Sequence, residues 1–499
     1  MSPLLKTIAV LGASYGGARA AQVLAQSLPK GWRVVLVDRN SHMNHLYVLP
    51  RYAVLQGHEH KAFIPYTHVF PAAKEDAEPS PHIILHAQVT SLSPHSLTLS
   101  RAFPEHGIEG STPTLDFEYL VYALGSHLPA PIDLWGPVAD EPVIETASVK
   151  QRKEVETCGR PTVPQTATSA PKQGTKPEAI QWLKRFQTRI DSVSSVLVVG
   201  GGALGIQYAT DIAEIYPAKR VTLLHSRSAL LPRFDQSMHV EIMSALAALN
   251  VNTILGDRLD LSSLSPRKTV RIGTSGKEER VVRTEGGREV RAELVLLCTG
   301  QKPNTELLAS FIPDAIVSEG PSKGMVHVKR TMQVAVPVPE SEQALLTPES
   351  ADEAEEDPTL RVPYPHVFAI GDAADAFGAI NAGHNAYFQG EVAARNIIKL
   401  IRRAEVKADN VPVESVPSPA TIEALDSETD TDTDTESLEL ERYVPGPPAI
   451  KVSLGLTKSV YQIQGVVGTR DSDSADLDAH LMWRYFGMEV DSSDAQLYA

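Results

Sequence analysis

The stretch from Ile8 to Gln26, IAVLGASYGGARAAQVLAQ, decides the fold. Four apolar residues run into a glycine-rich turn, and an Ala-rich segment follows, so the stretch reads strand, turn, helix. WRVVLVDRN comes next as a second apolar strand that carries Asp38 at its end, 21 residues after Gly17, which is the spacing of a β-α-β unit. In a GxGxxG turn the first glycine makes the bend, the second admits a pyrophosphate to the backbone N–H groups, and the third lets helix and strand touch. Gly12, Ser14 and Gly17 fill those positions here, with Gly16 beside them, so a serine replaces the middle glycine. Its side chain is small and its hydroxyl can donate to a phosphate oxygen. The turn can therefore still hold a dinucleotide, less snugly, and Asp38 stands where a ribose hydroxyl is bound.

Working outward, SSVLVVGGGALGIQYATDIAEIY and RVTLLHSRSALLP repeat the pattern, with Gly200, Gly202 and Gly205 matching all three positions. The acid is missing from this copy: the strand ends in His225, Ser226 and Arg227. A guanidinium there can pair with a 2′-phosphate, so NADPH is acceptable beside NADH. AELVLLCTG reads as a buried strand ending at Gly300, and PHVFAIGDAAD as a strand ending in Gly371 and Asp372. The fold class expected is α/β: two Rossmann-like dinucleotide-binding domains with a small C-terminal α+β module. The first domain covers 1–150 and resumes over 302–402, with an acidic insertion at 338–361. A linker or loop fills 151–177, the second domain covers 178–301, an acidic linker fills 403–447, and the C-terminal module covers 448–499.

The net charge of −15 is mostly local. ESADEAEED (349–357) and DSETDTDTDTESLELE (426–441) carry fourteen acids and no base, and are expected to be solvated insertions. The remainder is near neutral and lacks the basic stripe that a nucleic-acid partner requires. No run reaches the ~18 apolar residues of a membrane span. The first strand starts near residue 6, so a cytoplasmic location is expected, and Ser2 is not a myristoylation glycine. Two cysteines, Cys158 and Cys298, form no CxxC, which removes a dithiol relay and any cysteine metal site.

The order of VLGASYGG, YLVYALGS, VLVVGGGALG, LVLLCTG and HVFAIGDAAD resembles the two-dinucleotide-binding flavoproteins of the pyridine nucleotide oxidoreductase superfamily. NHLYVLPRYAVLQG lacks the redox cysteines of the disulfide reductases and is similar to type II NADH dehydrogenases and apoptosis-inducing-factor-like proteins. IYPAKRVTLLHSRSALLP resembles the ferroptosis-suppressor branch. The resemblance implies that the first turn and Asp38 hold the ADP half of FAD. It also implies that the backbone at Val89 meets the adenine, that Arg51 lies near the flavin or its phosphates, that Gly125 lines the cleft, and that Asp372 bonds the ribityl chain. Three departures stand out. The glutamate usual two residues after the last glycine of the second turn is Gln207, which keeps an amide for the nicotinamide carboxamide but carries no proton. The lysine that the ferroptosis-suppressor branch carries after the GD motif is replaced within AFGAINAGHN, and that branch's myristoyl glycine is absent.

The resemblance further implies a helix N-terminus near the flavin, here beginning near Gly383, with His384 and Tyr387 as candidates on the acceptor side. The function expected is hydride transfer from NADH or NADPH through FAD to a small acceptor, a quinone in the first instance, by a monomer or homodimer. A redox-sensing interaction protein with slow turnover, and a monooxygenase, are the competing readings. The tail HLMWRYFGM, with Trp483, Tyr485 and Phe486, suits a peripheral membrane contact in composition, but core packing or a dimer seam is the reading preferred.

Overall fold

The computed structural model describes residues 5–70, 80–128, 173–264, 270–273, 276, 278–343, 357–409, 439–471, 474–491, 493 and 495–498. Cys158, most of the 151–177 linker and most of both acidic runs lie outside them.

In the first unit, β1 (Lys6–Leu11) leads through the glycine turn to α1 (Tyr15–Ser27) and back to β2 (Trp32–Asp38). A short helix α2 (Leu49–Tyr52) follows, then β3 (Ile83–His86) and β4 (Tyr119–Tyr122). Ile8 to Leu11 are fully buried, as a parallel strand covered on both faces requires. An antiparallel hairpin set (Val89–Leu92, Ser96–Leu99, Thr114–Asp116) is inserted before β4.

The second unit starts with α3 (Lys176–Asp191), two residues earlier than the sequence boundary. It continues through β5 (Ser195–Val199), α4 (Ala203–Ile215), β6 (Arg220–His225), α5 (Gln236–Ala248), β7 (Asn252–Leu255) and β8 (Leu294–Leu297). These strands form a parallel sheet ordered β7-β6-β5-β8. The chain then returns: β9 (Val367–Ala369) pairs with β4, so the first sheet is ordered β9-β4-β1-β2-β3, all parallel. Two doubly wound sheets, each with a glycine turn at the C-terminal end of its central strand, bear out the α/β expectation.

The long helix α6 (Gly383–Asp409) starts where the sequence suggested and runs seven residues past the expected boundary at 402. It lies beside α1 and points the same way, since Tyr15 meets Gly383, Gly16 meets Ala386, and Arg19 pairs with Glu391. Glycines permit that closeness. A Cβ on Gly16 would sit 2.6 Å from the Ala386 carbonyl oxygen, and one on Gly390 would sit 2.4 Å from that of Gly16.

The C-terminal residues form an antiparallel sheet, β10 (Ile450–Ser453), β11 (Lys458–Ile463) and β12 (Val466–Asp471), but no core of their own. Val452, Leu454 and Val460 join the core of the second unit, whereas Trp483, Phe486, Met488 and Leu497 join that of the first. The tail is thus core packing for Trp483 and Phe486, while Tyr485 stays 58% exposed. Among the described residues no helix is long and apolar enough to cross a membrane.

Candidate functional site

The first glycine turn is shaped by backbone contact. Gly12 has φ +91°, and a Cβ on it would lie 2.4 Å from the Ala123 carbonyl oxygen. A Cβ on Gly17 would lie 1.8 Å from that of Gly12. Ser14 is the N-cap of α1, and its hydroxyl makes no capping bond, which leaves it to donate outward. Because α1 and α6 run parallel, both helices turn their N-termini and unpaired N–H groups toward one cleft, which favours an anion.

Asp38 closes β2. It accepts the Ala13 and Asn40 N–H groups, each at 2.7 Å, and burial pushes its pKa up against those bonds. Tyr66, whose hydroxyl bonds the same carboxylate, was not legible in the sequence. The Ala87 N–H donates to the Asp38 carbonyl at 2.9 Å, so the chain entering buried Val89 passes beside the acid.

Gly125, at φ +61°, has open space over its α-carbon. Next to it Ser126 donates to Asp372 at 2.9 Å, and Gln301 donates to the same oxygen at 2.8 Å. Burial raises the Asp372 pKa, and these two donors oppose the rise. Ser126–His127 also pairs antiparallel with Lys302–Pro303, joining the chain leaving the first unit to the chain returning to it. Gly371, at φ +73°, donates its N–H to Gln389 of α6 at 2.7 Å. Tyr15, another residue without a sequence signal, lays its ring on Gly383, accepts the Leu46 N–H, and is pushed up in pKa by burial and by Asp372.

In the second turn Gly200 has φ +124°, and a Cβ there would strike the Cys298 carbonyl oxygen at 2.6 Å. A Cβ on Gly205 would lie 1.9 Å from the Gly200 carbonyl oxygen, while Gly202 faces open space at the start of α4. His225 accepts the Gly201 N–H at 3.1 Å through Nδ1, and burial and Arg227 lower its pKa against a bond to the Ala229 backbone. Arg227 is exposed just past the end of β6, and Gly300 is exposed with φ +77°.

Three expectations need correction. Arg51 is fully buried away from any cleft. It pairs with Asp211 of α4 at 3.0 Å and donates to the carbonyls of Ala475 at 2.8 Å, Leu456 at 3.4 Å and Gly455. Four of the five guanidinium N–H donors are so occupied and the side chain is fully enclosed, which leaves it turned to protein carbonyls and not to a phosphate. Gln207 is 4% exposed, and its amide donates to the Tyr47 carbonyl at 3.3 Å and the Ser453 hydroxyl at 3.0 Å, so it braces the C-terminal sheet instead of facing a nicotinamide. Tyr387 stacks under Arg19 at 4.8 Å and edge-on to Tyr485 at 6.2 Å, which is helix packing. Of the two acceptor-side candidates only His384 is exposed, in the first turn of α6, its pKa lowered by partial burial.

The cradle fits two dinucleotides. Each turn has glycines that a Cβ would block, a helix N-terminus behind them, and a polar side chain at or just past the next strand end, the Asp38 carboxylate in one and the Arg227 guanidinium in the other.

A profile of the family described as pyridine nucleotide-disulphide oxidoreductase matches residues 6–340. The chain is 39% identical to Fe-regulated protein 8 of Mycosarcoma maydis, over 97% of this chain and 96% of that one. It is 26% identical to ferroptosis suppressor protein 1 of Taeniopygia guttata, over 64% of this chain and 70% of that one. It is 24% identical to apoptosis-inducing factor homolog B of Dictyostelium discoideum, over 79% and 80% respectively. Two glycine cradles in one chain, and a family profile that spans both, lead to one conclusion: the chain belongs to the pyridine nucleotide-disulphide oxidoreductase family, in its apoptosis-inducing-factor-like branch, and works with FAD and NAD(P)H.

Proposed function

We propose that this oxidoreductase carries reducing equivalents from NADH or NADPH through FAD to a quinone or another small acceptor that meets the flavin directly. One observation carries the reading: the chain has two cysteines, no CxxC, and the described one, Cys298, is half-buried against the second glycine turn with its thiol pKa pushed far up by desolvation. With no dithiol to relay electrons, the acceptor has to reach the flavin itself.

The flavin, when bound, supplies two-electron acceptance from the nicotinamide and onward release to the acceptor. The chain's own residues supply binding and orientation. The first turn, with Ser14 and the paired N-termini of α1 and α6, holds the pyrophosphate, and Asp38 holds the ribose hydroxyls. Asp372, oriented by Ser126 and Gln301, accepts from the ribityl hydroxyls, with Gly125 and Gly371 clearing the backbone around it. Gly200, Gly202 and Gly205 seat the second dinucleotide, Gly300 borders it, and Arg227 admits a 2′-phosphate. His384, exposed at the start of α6, stands on the acceptor side.

Anaerobic stopped-flow tests the reading: bleaching of the flavin by NAD(P)H is followed by addition of a short-chain quinone. Fast bleaching and fast recovery support it. A long-lived reduced complex that the quinone does not reoxidise would refute it and favour a redox sensor.

A further inference from the structure

The two units also meet through a contact that starts at the second glycine turn. Gly201, in the second glycine turn, is held on both sides by the last residue of β6 and the loop that follows it. Its N–H goes to His225, and its carbonyl accepts the Leu231 N–H at 3.2 Å. A Cβ on Gly201 would lie 2.4 Å from Leu230, so loop and turn are in van der Waals register. Leu231 is buried with φ +46°, a left-handed backbone that a leucine adopts only when its surroundings impose it. Two residues on, the exposed Arg233 reaches across to the first unit and donates to the Gly378 carbonyl.

Gly378 belongs to a tight turn. Ala379 donates to the Ala376 carbonyl at 3.0 Å, with Phe377 at φ +56° and Gly378 at φ +76° as its central residues. Phe377, like Leu231, is a bulky residue held left-handed, and the Arg330 guanidinium lies over its ring at 4.6 Å. The turn sits between Asp372 and the first residue of α6. Both loops therefore stand at the C-terminal ends of their parallel sheets, where ligands bind in this class of fold.

The geometry assigns Arg233 the role of a positioning residue that ties the NAD(P)H turn to the turn beside Asp372. Through Gly201, Leu231, Arg233 and Gly378, occupancy of the second cradle steadies the approach to α6, and the spacing between the two cofactors is set by this bridge. The assignment rests on FAD and NAD(P)H as cofactors and is independent of the acceptor's identity.

Hydrogen exchange on the full-length FAD-loaded protein tests it, with oxidised NAD+ and NADP+ as the probes. In the wild type, saturating probe slows exchange over 226–236 and over 373–383. In Arg233→Ala it slows only the first segment. Flavin bleaching at saturating donor falls about 10-fold in Arg233→Ala and recovers to within about 3-fold of wild type in Arg233→Lys, which keeps a cationic donor for the same carbonyl. The side chain is exposed, so FAD content and thermal midpoint stay unchanged. Protection of 373–383 that survives the alanine substitution would overturn the assignment. So would weakened NADP+ binding with NAD+ untouched, which would make Arg233 a 2′-phosphate ligand, or loss of FAD from the variant.

Discussion

Arg51→Ala separates two accounts of one residue. In the structure Arg51 is at 0% exposure, paired with Asp211, and bonded to three backbone carbonyls of the C-terminal residues. Removing one member of a buried pair costs about 3–5 kcal/mol, because the other charge stays buried. Asp211 can relieve part of that by taking a proton, since burial already raises its pKa to about 6 despite the guanidinium. The three carbonyls have no such relief, and each loses a charge-assisted donor worth about 1.5–3 kcal/mol, less whatever entering water restores. A total near 4 kcal/mol is the expectation, and at about 2–4 °C per kcal/mol for a unit of this size the melting point falls by ~8 °C or more. Arg51→Met with Asp211→Leu removes both charges but still strands the carbonyls, so it recovers only about half of the loss. The assay is thermal and urea unfolding with saturating FAD, read by tryptophan and flavin fluorescence. A variant that melts within 2 °C of wild type yet has lost its FAD would refute this account and restore Arg51 to the flavin.

Other expectations follow from single contacts. Arg227→Ala raises the KM for NADPH by about 10-fold and leaves that for NADH alone, as an exposed charge-assisted contact to a 2′-phosphate requires; equal effects on both donors would exclude the contact. Gly390→Ala places a Cβ 2.4 Å from the Gly16 carbonyl oxygen, so despite its better helix propensity it destabilises by about 1–3 kcal/mol and weakens FAD binding, both measurable by titration and melting. Burial lowers the pKa of His42 to about 3 and of His45 to about 4, so the unfolded chain binds protons there before the folded one does. Stability contributed by their neutral forms is complete above pH ~6.5 and is lost as the pH falls toward 4, at up to about 1.4 kcal/mol per pH unit for each histidine. His42→Gln flattens that slope by one histidine's share in a series of melts.

The strand-turn-helix units, the strand ends that carry Asp38 and Asp372, and the start of α6 were all legible because each is marked by its own local run of apolar residues and glycines. The corrections share the opposite cause. Arg51 finds its counter-ion 160 positions away and carbonyl partners more than 400 away, and nothing in LPRYAVLQG announces either. Gln207 is turned from the cleft by Ser453, a residue of a sheet that the sequence suggested was a separate module. Tyr387 is claimed by Arg19 and Tyr485. Tyr15 and Gln301 occupy positions that the glycine motifs leave free, so only the packing of α6 and the return of the chain at Lys302–Pro303 give them partners.

The position of β9 at the edge of the first sheet also orders events in time. Residues 6–122 supply four of its five strands, but the fifth, and the long helix that seals α1, come only from 367 onward. During synthesis at about 5–20 residues per second the first unit therefore waits tens of seconds with one face of α1 bare, while the parallel sheet of the inserted second unit, whose strands are contiguous, can already form. FAD capture is accordingly expected to be a late step, and ribosome-stalled chains ending before Val367 should retain no flavin while those extended past Asp409 should. A protein arranged in this way gains its cofactor only once most of its chain has been made, and a truncated product carries no redox chemistry into the cell.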